Sequence, residues 1–226
     1  RALKLALEIA KPRNYLCFLL WRPDMLAKLC SHALGAGIER EFVSNIIQSR
    51  GLMLDAATAA IADWPWPYRV RTLGQFRLSR NEEPVTFSGK AQRRPLDLLR
   101  VLIACGAREV PVERITEALW PRIDGDSAHR SFTTTLHRLR KLIGEDRALH
   151  LSEGKLTLDG HHVWTDVWAF EQTTARVEQL LRRPWERIAH EELAALCERL
   201  TGLYTGPFLG NEPDEPWIFA TRERLR

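Results

Sequence analysis

SAHRSFTTTLHRLRKLI, residues 127–143, is the stretch on which the reading of this chain turns. On a helical wheel at about 100° per residue, Phe132, Leu136, Leu139 and Ile143 fall in one narrow arc, which gives a helix a single face to bury. The opposite arc holds Arg130, Thr134, His137 and Lys141, flanked by Thr133 and Arg138, while Thr135 and Arg140 lie at the margins between the two arcs. Gly144 supplies the stop. No acidic residue occurs between Ser127 and Gly144, although Asp and Glu make up 29 of the 226 residues. A face that only has to be solvated usually mixes Glu with Lys or Arg. One made of donors and positive charge alone suits a groove lined with phosphates, where arginine grips guanine, threonine meets a base or a thymine methyl, and cations displace counterions.

Working outward, the segments on either side supply the setting for that helix. Upstream, Pro95 opens a helix whose stripe is Leu96, Leu99, Leu102 and Ile103, ended by Gly106. Val110-Pro111 is a brief extended link, and Val112, Ile115 and Leu119 give a second, shorter helix that stops at Trp120-Pro121. Asp124, Gly125 and Asp126 form a turn into the third helix. Downstream, Leu149 and Leu151, then Ser152-Glu153-Gly154-Lys155, then Leu156 and Leu158 read as a hairpin, with Val163 onwards extended again. Before all of these the period is two: Tyr68, Val70 and Thr72, then Phe76 and Leu78, a turn at Asn81 to Pro84, then Val85 and Phe87, which read as short antiparallel strands. The order is strands, three helices, hairpin, an α+β arrangement. In it one helix enters the major groove and a wing reaches the adjoining backbone. Lys155 at the hairpin tip and Arg93 and Arg94 ahead of the first helix are further candidate phosphate contacts.

The winged helix-turn-helix so defined spans residues 68–166. In front of it, residues 1–63 form a helical segment, with apolar residues at three and four over 1–10, 24–34 and 39–50. Residues 64–67 are Trp-Pro-Trp-Pro, which no helix can pass, so they read as a linker whose tryptophans pack on a neighbour. Residues 167–226 turn helical again, with Val167, Phe170, Val177 and Leu180, then Leu193, Leu196, Leu200 and Leu203, and a last helix opened by Pro216-Trp217. Both ends fall inside helical patterns, so the chain reads as a piece cut from something longer.

The segments GKAQRRPLDLLRVLIACGAREVPVERITEALWP, AHRSFTTTLHRLRKLIG and WTDVWAFE resemble the OmpR-type winged-helix domain of SARP-type regulators and related large, MalT-like bacterial activators, over about residues 68–170. LTGLYTGPFLG and EPWIFATRERLR are similar to the start of the bacterial transcriptional activator domain, a helical module attached to such winged helices. The resemblance implies an N-terminal antiparallel sheet, three helices, a C-terminal wing, and flanking helices. It also implies sequence-specific binding of double-stranded DNA by a cytoplasmic transcription regulator whose partners are the operator, RNA polymerase or further domains of the same regulator. A homo-oligomer is compatible with it. The positions matching the family's groove-reading helix are Arg130, Thr134, Thr135, His137, Arg138 and Arg140, with Arg138 the foremost base contact.

Composition excludes several classes. The longest apolar runs, Tyr15 to Trp21 and Leu98 to Cys105, are too short to span a bilayer, and no signal-peptide layout occurs. Cys17, Cys30, Cys105 and Cys197 are scattered without metal-ligand spacing and read as reduced, mostly buried thiols. No metal or cofactor is expected, and without G-x-x-x-x-G-K-[ST] the chain cannot hold ATP by that route. The net charge of +4 says little, but its distribution says more: residues 68–170 carry 17 basic and 13 acidic side chains, and 171–226 carry 8 and 10. An enzyme built on Asp159, His161, His162 and Asp166 is disfavoured, because these lie at a strand-to-strand turn without a ligand pattern. The acidic group Glu212, Asp214 and Glu215 reads as a loop leading into a helix N-terminus. The main rival reading is a protein-interaction module that uses a winged helix and helical repeats as docking surfaces without touching DNA.

Overall fold

The computed structural model describes residues 1–16, 22–52, 64–86, 93–184 and 188–226. It is a mixed α+β chain. Helices α1 (Ala2–Ala10), α2 (Pro23–Gly35) and α3 (Arg40–Arg50) come first. Strands β1 (Tyr68–Arg71), β2 (Arg77–Arg80) and β3 (Glu83–Pro84) lead to α4 (Arg93–Ala104), β4 (Val110–Pro111), α5 (Val112–Leu119) and α6 (Gly125–Ile143). Then follow β5 (Leu149–Ser152), β6 (Lys155–Leu158), β7 (Val163–Thr165), α7 (Asp166–Leu181), α8 (His190–Leu203) and α9 (Pro216–Arg224).

Two small sheets flank the central helices. The first has the order β3-β2-β1-β7, the second β4-β6-β5. The antiparallel pairing expected for the early strands holds for β1 with β2 and for β2 with β3. It does not extend to the whole sheet, because β7 joins β1 in parallel, Val70 facing Thr165. A strand that returns beside β1 after three intervening helices comes in pointing the same way, which local alternation cannot reveal. Val85 lies beyond β3 as irregular backbone, and Phe87 falls outside the described residues.

Two hydrophobic clusters result. One gathers Val70, Leu99, Leu102, Ile115, Phe132, Leu139, Leu156 and Leu158, and also Phe208, Leu209, Ile218 and Leu225 from the end of the chain. The other packs Leu7, Leu34, Phe42 and Ile46 of the front helices against Trp64, Trp66, Trp164 and Leu203. The tryptophans of the Trp-Pro-Trp-Pro stretch are 2% and 1% exposed, so this segment is a packed joint between the front helices and the sheet. Of the cysteines, Cys30 is buried, Cys105 half-buried and Cys197 exposed, and Cys17 lies outside the described residues.

Packing also runs straight across position 166. Asp166 is buried at the junction of β7 and α7: its Oδ2 accepts from the amides of Thr72 (2.6 Å) and Leu73 (2.7 Å), its Oδ1 from the Thr72 hydroxyl (2.9 Å) and the Val167 amide (2.9 Å). Burial pushes its carboxyl up from the usual range, against the pull of these bonds. Residues 205–210 then return to the same corner. Leu209 N donates to Thr72 O (2.7 Å), Gly74 N to Pro207 O (3.1 Å) and Gly210 N to Gly74 O (2.8 Å). Gly74 is required here twice over: its φ is +110°, and a Cβ would stand 2.6 Å from the Thr205 hydroxyl.

Candidate nucleic-acid interface

Local sequence sets where α6 begins and which way it faces. Asp124 is the N-cap, its carboxylate accepting from Ser127 N (3.0 Å), and that bond is the main cause of its lowered pKa. The helix thus starts at Gly125, two residues ahead of the expected start. It ends at Gly144, whose φ of +74° closes the last turn. Ala128, Phe132, Leu136, Leu139 and Ile143 are buried where α6 packs on α4 and α5. At its end, the Tyr68 hydroxyl donates to Ile143 O (2.6 Å), tying α6 to β1.

On the other side, Arg130, Thr133, Thr134, His137, Arg138 and Lys141 are all exposed, and so the structure brings these six expected residues to one surface. No carboxylate of the described residues pairs with His137, Arg138 or Lys141. Arg130 instead bonds Ser127 Oγ (2.9 Å). The Thr133 and Thr134 hydroxyls donate back to the carbonyls of His129 and Arg130, both at 3.0 Å.

Two expected members are not on this surface. Thr135 is 7% exposed and its hydroxyl donates to Ser131 O (2.7 Å), so it belongs to the buried side. Arg140 is half-buried, and its Nη2 donates to Leu149 O (2.8 Å). It is a strut between α6 and the first strand of the hairpin. Both lie where the wheel places them, at the margins, and there packing decides which way a side chain turns.

The β5–β6 hairpin stands beside α6, paired from Leu149 with Leu158 to Ser152 with Lys155. Its tip, Glu153 and Gly154, has positive φ at both residues (50° and 69°), the geometry of a tight two-residue hairpin turn. Lys155 is exposed at that tip. Arg93 and Arg94 are exposed too, but they line a cleft of about 450 Å³ together with Asp97, Glu212 and Glu215, and no residue of α6 lines it. Arg94 donates there to Leu119 O (3.3 Å). These two arginines therefore form a separate, charge-balanced group.

The polar clusters set aside in the sequence make contacts within the protein. Asp159 accepts contacts from His161 Nδ1 (2.8 Å), His162 Nδ1 (3.2 Å) and His150 Nε2 (3.3 Å) at the turn between β6 and β7. Glu212 pairs with Arg100 (3.0 Å), and Asp214 with Arg222. Among the described residues no group of three or more His, Cys, Asp or Glu could hold a metal ion, and no helix is long and apolar enough to cross a membrane.

Sequence reasoning missed Tyr68 and Arg80 as neighbours of α6. The Arg80 guanidinium lies 5.8 Å from the Tyr68 ring centroid, next to Gly144. Nothing in the local pattern of either strand residue signals this, because the neighbour is brought in by the fold.

No family model matches the chain, and no curated protein does. Among solved structures, EmbR of Mycobacterium tuberculosis, determined in complex with a low-affinity phosphopeptide, is similar, with a TM-score of 0.55 and 20% sequence identity. The match covers 70% of this chain and 41% of EmbR, so the chain spans less than half of that protein's length. At this identity the likeness is one of fold.

Proposed function

We propose that this chain binds double-stranded DNA as the winged helix-turn-helix of a transcription regulator, with α6 in the major groove and the β5–β6 hairpin as the wing. The observation that carries the reading is the division of α6 into two sides. Phe132, Leu136, Leu139 and Ile143 anchor it, and the opposite side offers Arg130, Thr134, His137, Arg138 and Lys141 to solvent without an acidic residue between Ser127 and Gly144. A helix held by one side with cations free on the other is what a polyanionic groove needs. In this reading Arg138 contacts a base, Lys141 and Lys155 contact phosphates, and the chain acts in the cytoplasm with RNA polymerase or further domains as partners.

Selection of tight binders from a random duplex pool, followed by titration across ionic strength, tests it. The expected result is a recovered motif, with log K falling linearly against log salt. On the selected site, Arg138→Ala is expected to cost about 1–3 kcal/mol and to relax preference at one position; unchanged affinity would remove it as a base reader. Lys155→Ala is expected to weaken all duplexes alike and to flatten the salt slope by about 0.9, the value of one phosphate contact. Equal slopes for wild type and variant would remove the hairpin tip from the interface.

The rival reading, a protein-docking module, draws on exposed apolar side chains: Leu5 and Ile9 on α1, Met25 and Leu29 on α2, and Phe219 on α9. These lie on other helices than α6. Both activities can coexist, and competition by unrelated duplex separates them.

A further inference from the structure

The exposed row on α6 runs Arg130, Thr134, His137, Lys141 at steps of four, three and four, and its next position is Gly144. Gly144 has no side chain to contribute, yet a cation stands there. Arg80 of β2 places its Nη1 3.6 Å from where a Cβ on Gly144 would be. Its guanidinium lies over the ring of Tyr68, whose hydroxyl is bonded to Ile143 O, so the arginine is held against the end of α6. Arg80 is exposed, and no carboxylate of the described residues pairs with it. Acids close to Arg80 in the sequence or the sheet are otherwise placed: Glu82 pairs with Arg69 (2.8 Å), Glu83, opposite Arg80 across the β2–β3 pair, forms no ion pair with it, and Glu145 accepts from Arg147 N (3.2 Å).

We propose that Arg80 is the last member of this row and takes a backbone phosphate, so that the duplex-binding face passes from α6 onto the sheet. The inference rests on the duplex-binding reading of α6 and extends it to a second element. At 1.5 Å per residue the row from position 130 to 144 is about 21 Å long, which matches several successive phosphates along a groove edge. A planar guanidinium already drawn to the Tyr68 ring by a cation–π contact grips a phosphate with two donors and loses little freedom in doing so. Arg77, three residues earlier on the same strand, points to the other side of the sheet and lines a different cleft with Arg71 and Asn211. It provides an internal control.

The experiment measures anisotropy of a fluorescein-labelled random 30-base-pair duplex against the full chain from about 50 to 300 mM salt, for wild type, Arg80→Gln, Arg80→Lys and Arg77→Gln. Urea unfolding of each variant accompanies it. The expected result is a salt slope flatter by about 0.9 in Arg80→Gln, its near-complete recovery in Arg80→Lys, and a wild-type slope in Arg77→Gln. Gln removes the charge and keeps a polar, unbranched side chain; should Arg80→Gln fail to fold, the pair Arg80→Lys and Arg77→Gln is supplemented by Arg80→Met. A wild-type slope in folded Arg80→Gln overturns the inference while the duplex-binding reading stands. Equal flattening in Arg77→Gln also overturns it, since the effect is then one of overall charge. If wild type shows no salt-dependent binding, the duplex-binding reading falls and takes this inference with it.

Discussion

Leu139→Ala is expected to destabilise the chain by about 2–5 kcal/mol, the range for removing most of a fully buried leucine and leaving part of its volume empty. Leu139 is 0% exposed and belongs to the cluster that joins α6 to α4, α5 and the hairpin. Phe132 and Leu99 of the same cluster are equally enclosed, so little can collapse into the gap. Urea unfolding checks this: the midpoint drops while the m-value stays constant. A loss below about 0.5 kcal/mol is surface-like and would show that Leu139 is not a core residue. Because Leu139 points away from the exposed row, the folded fraction of the variant should keep the wild-type salt slope. That contrast with Lys155→Ala separates anchoring from contact.

Asp166→Ala is expected to cost about 3 kcal/mol or more, through orphaned donors. The carboxylate is 2% exposed and is the acceptor for the amides of Thr72, Leu73 and Val167 and for the Thr72 hydroxyl. Each buried donor left without a partner costs about 1–3 kcal/mol. Asp166→Asn should be milder, because its amide oxygen can still accept from Thr72 N and Leu73 N and the Thr72 hydroxyl can turn to accept from its NH₂ group, which leaves only the Val167 amide without an acceptor. The order Ala worse than Asn, read from thermal unfolding midpoints, is the diagnostic. Equal stability of both with wild type would mean that this corner is solvated. The same corner receives residues 205–210, so loss of Asp166 should also raise hydrogen exchange at Leu209 N, which bonds Thr72 O.

Much of the architecture was legible from residue periodicity. The stripe Phe132, Leu136, Leu139, Ile143 and the stripe Leu96, Leu99, Leu102, Ile103 are buried as their spacing requires. The turn at Glu153-Gly154 is where alternating leucines bracket it. Periodicity works because it reports which side of an element has to leave water. It says nothing about the partner that covers that side. Hence the parallel union of β7 with β1 and the burial of Phe208, Ile218 and Leu225 in the same cluster as Phe132 were not readable.

The candidate interface divides along the same line. Arg130, Thr134, His137, Arg138 and Lys141 lie far enough round the helix from its apolar stripe that any neighbour packed on that stripe leaves them in solvent; the order of residues alone settled their exposure. Thr135 and Arg140 sit at the margins, where a hydroxyl turns inward to Ser131 O and a guanidinium reaches Leu149 O only because a hairpin stands there. Arg80 meets the end of α6 only because β2 is laid beside it. The chain's own pattern therefore determined the elements, their buried sides and the centre of the cationic row. The tertiary structure decided the edges of that row, since a marginal side chain takes its direction from whatever lies within hydrogen-bonding reach, and distant segments are brought there by the fold.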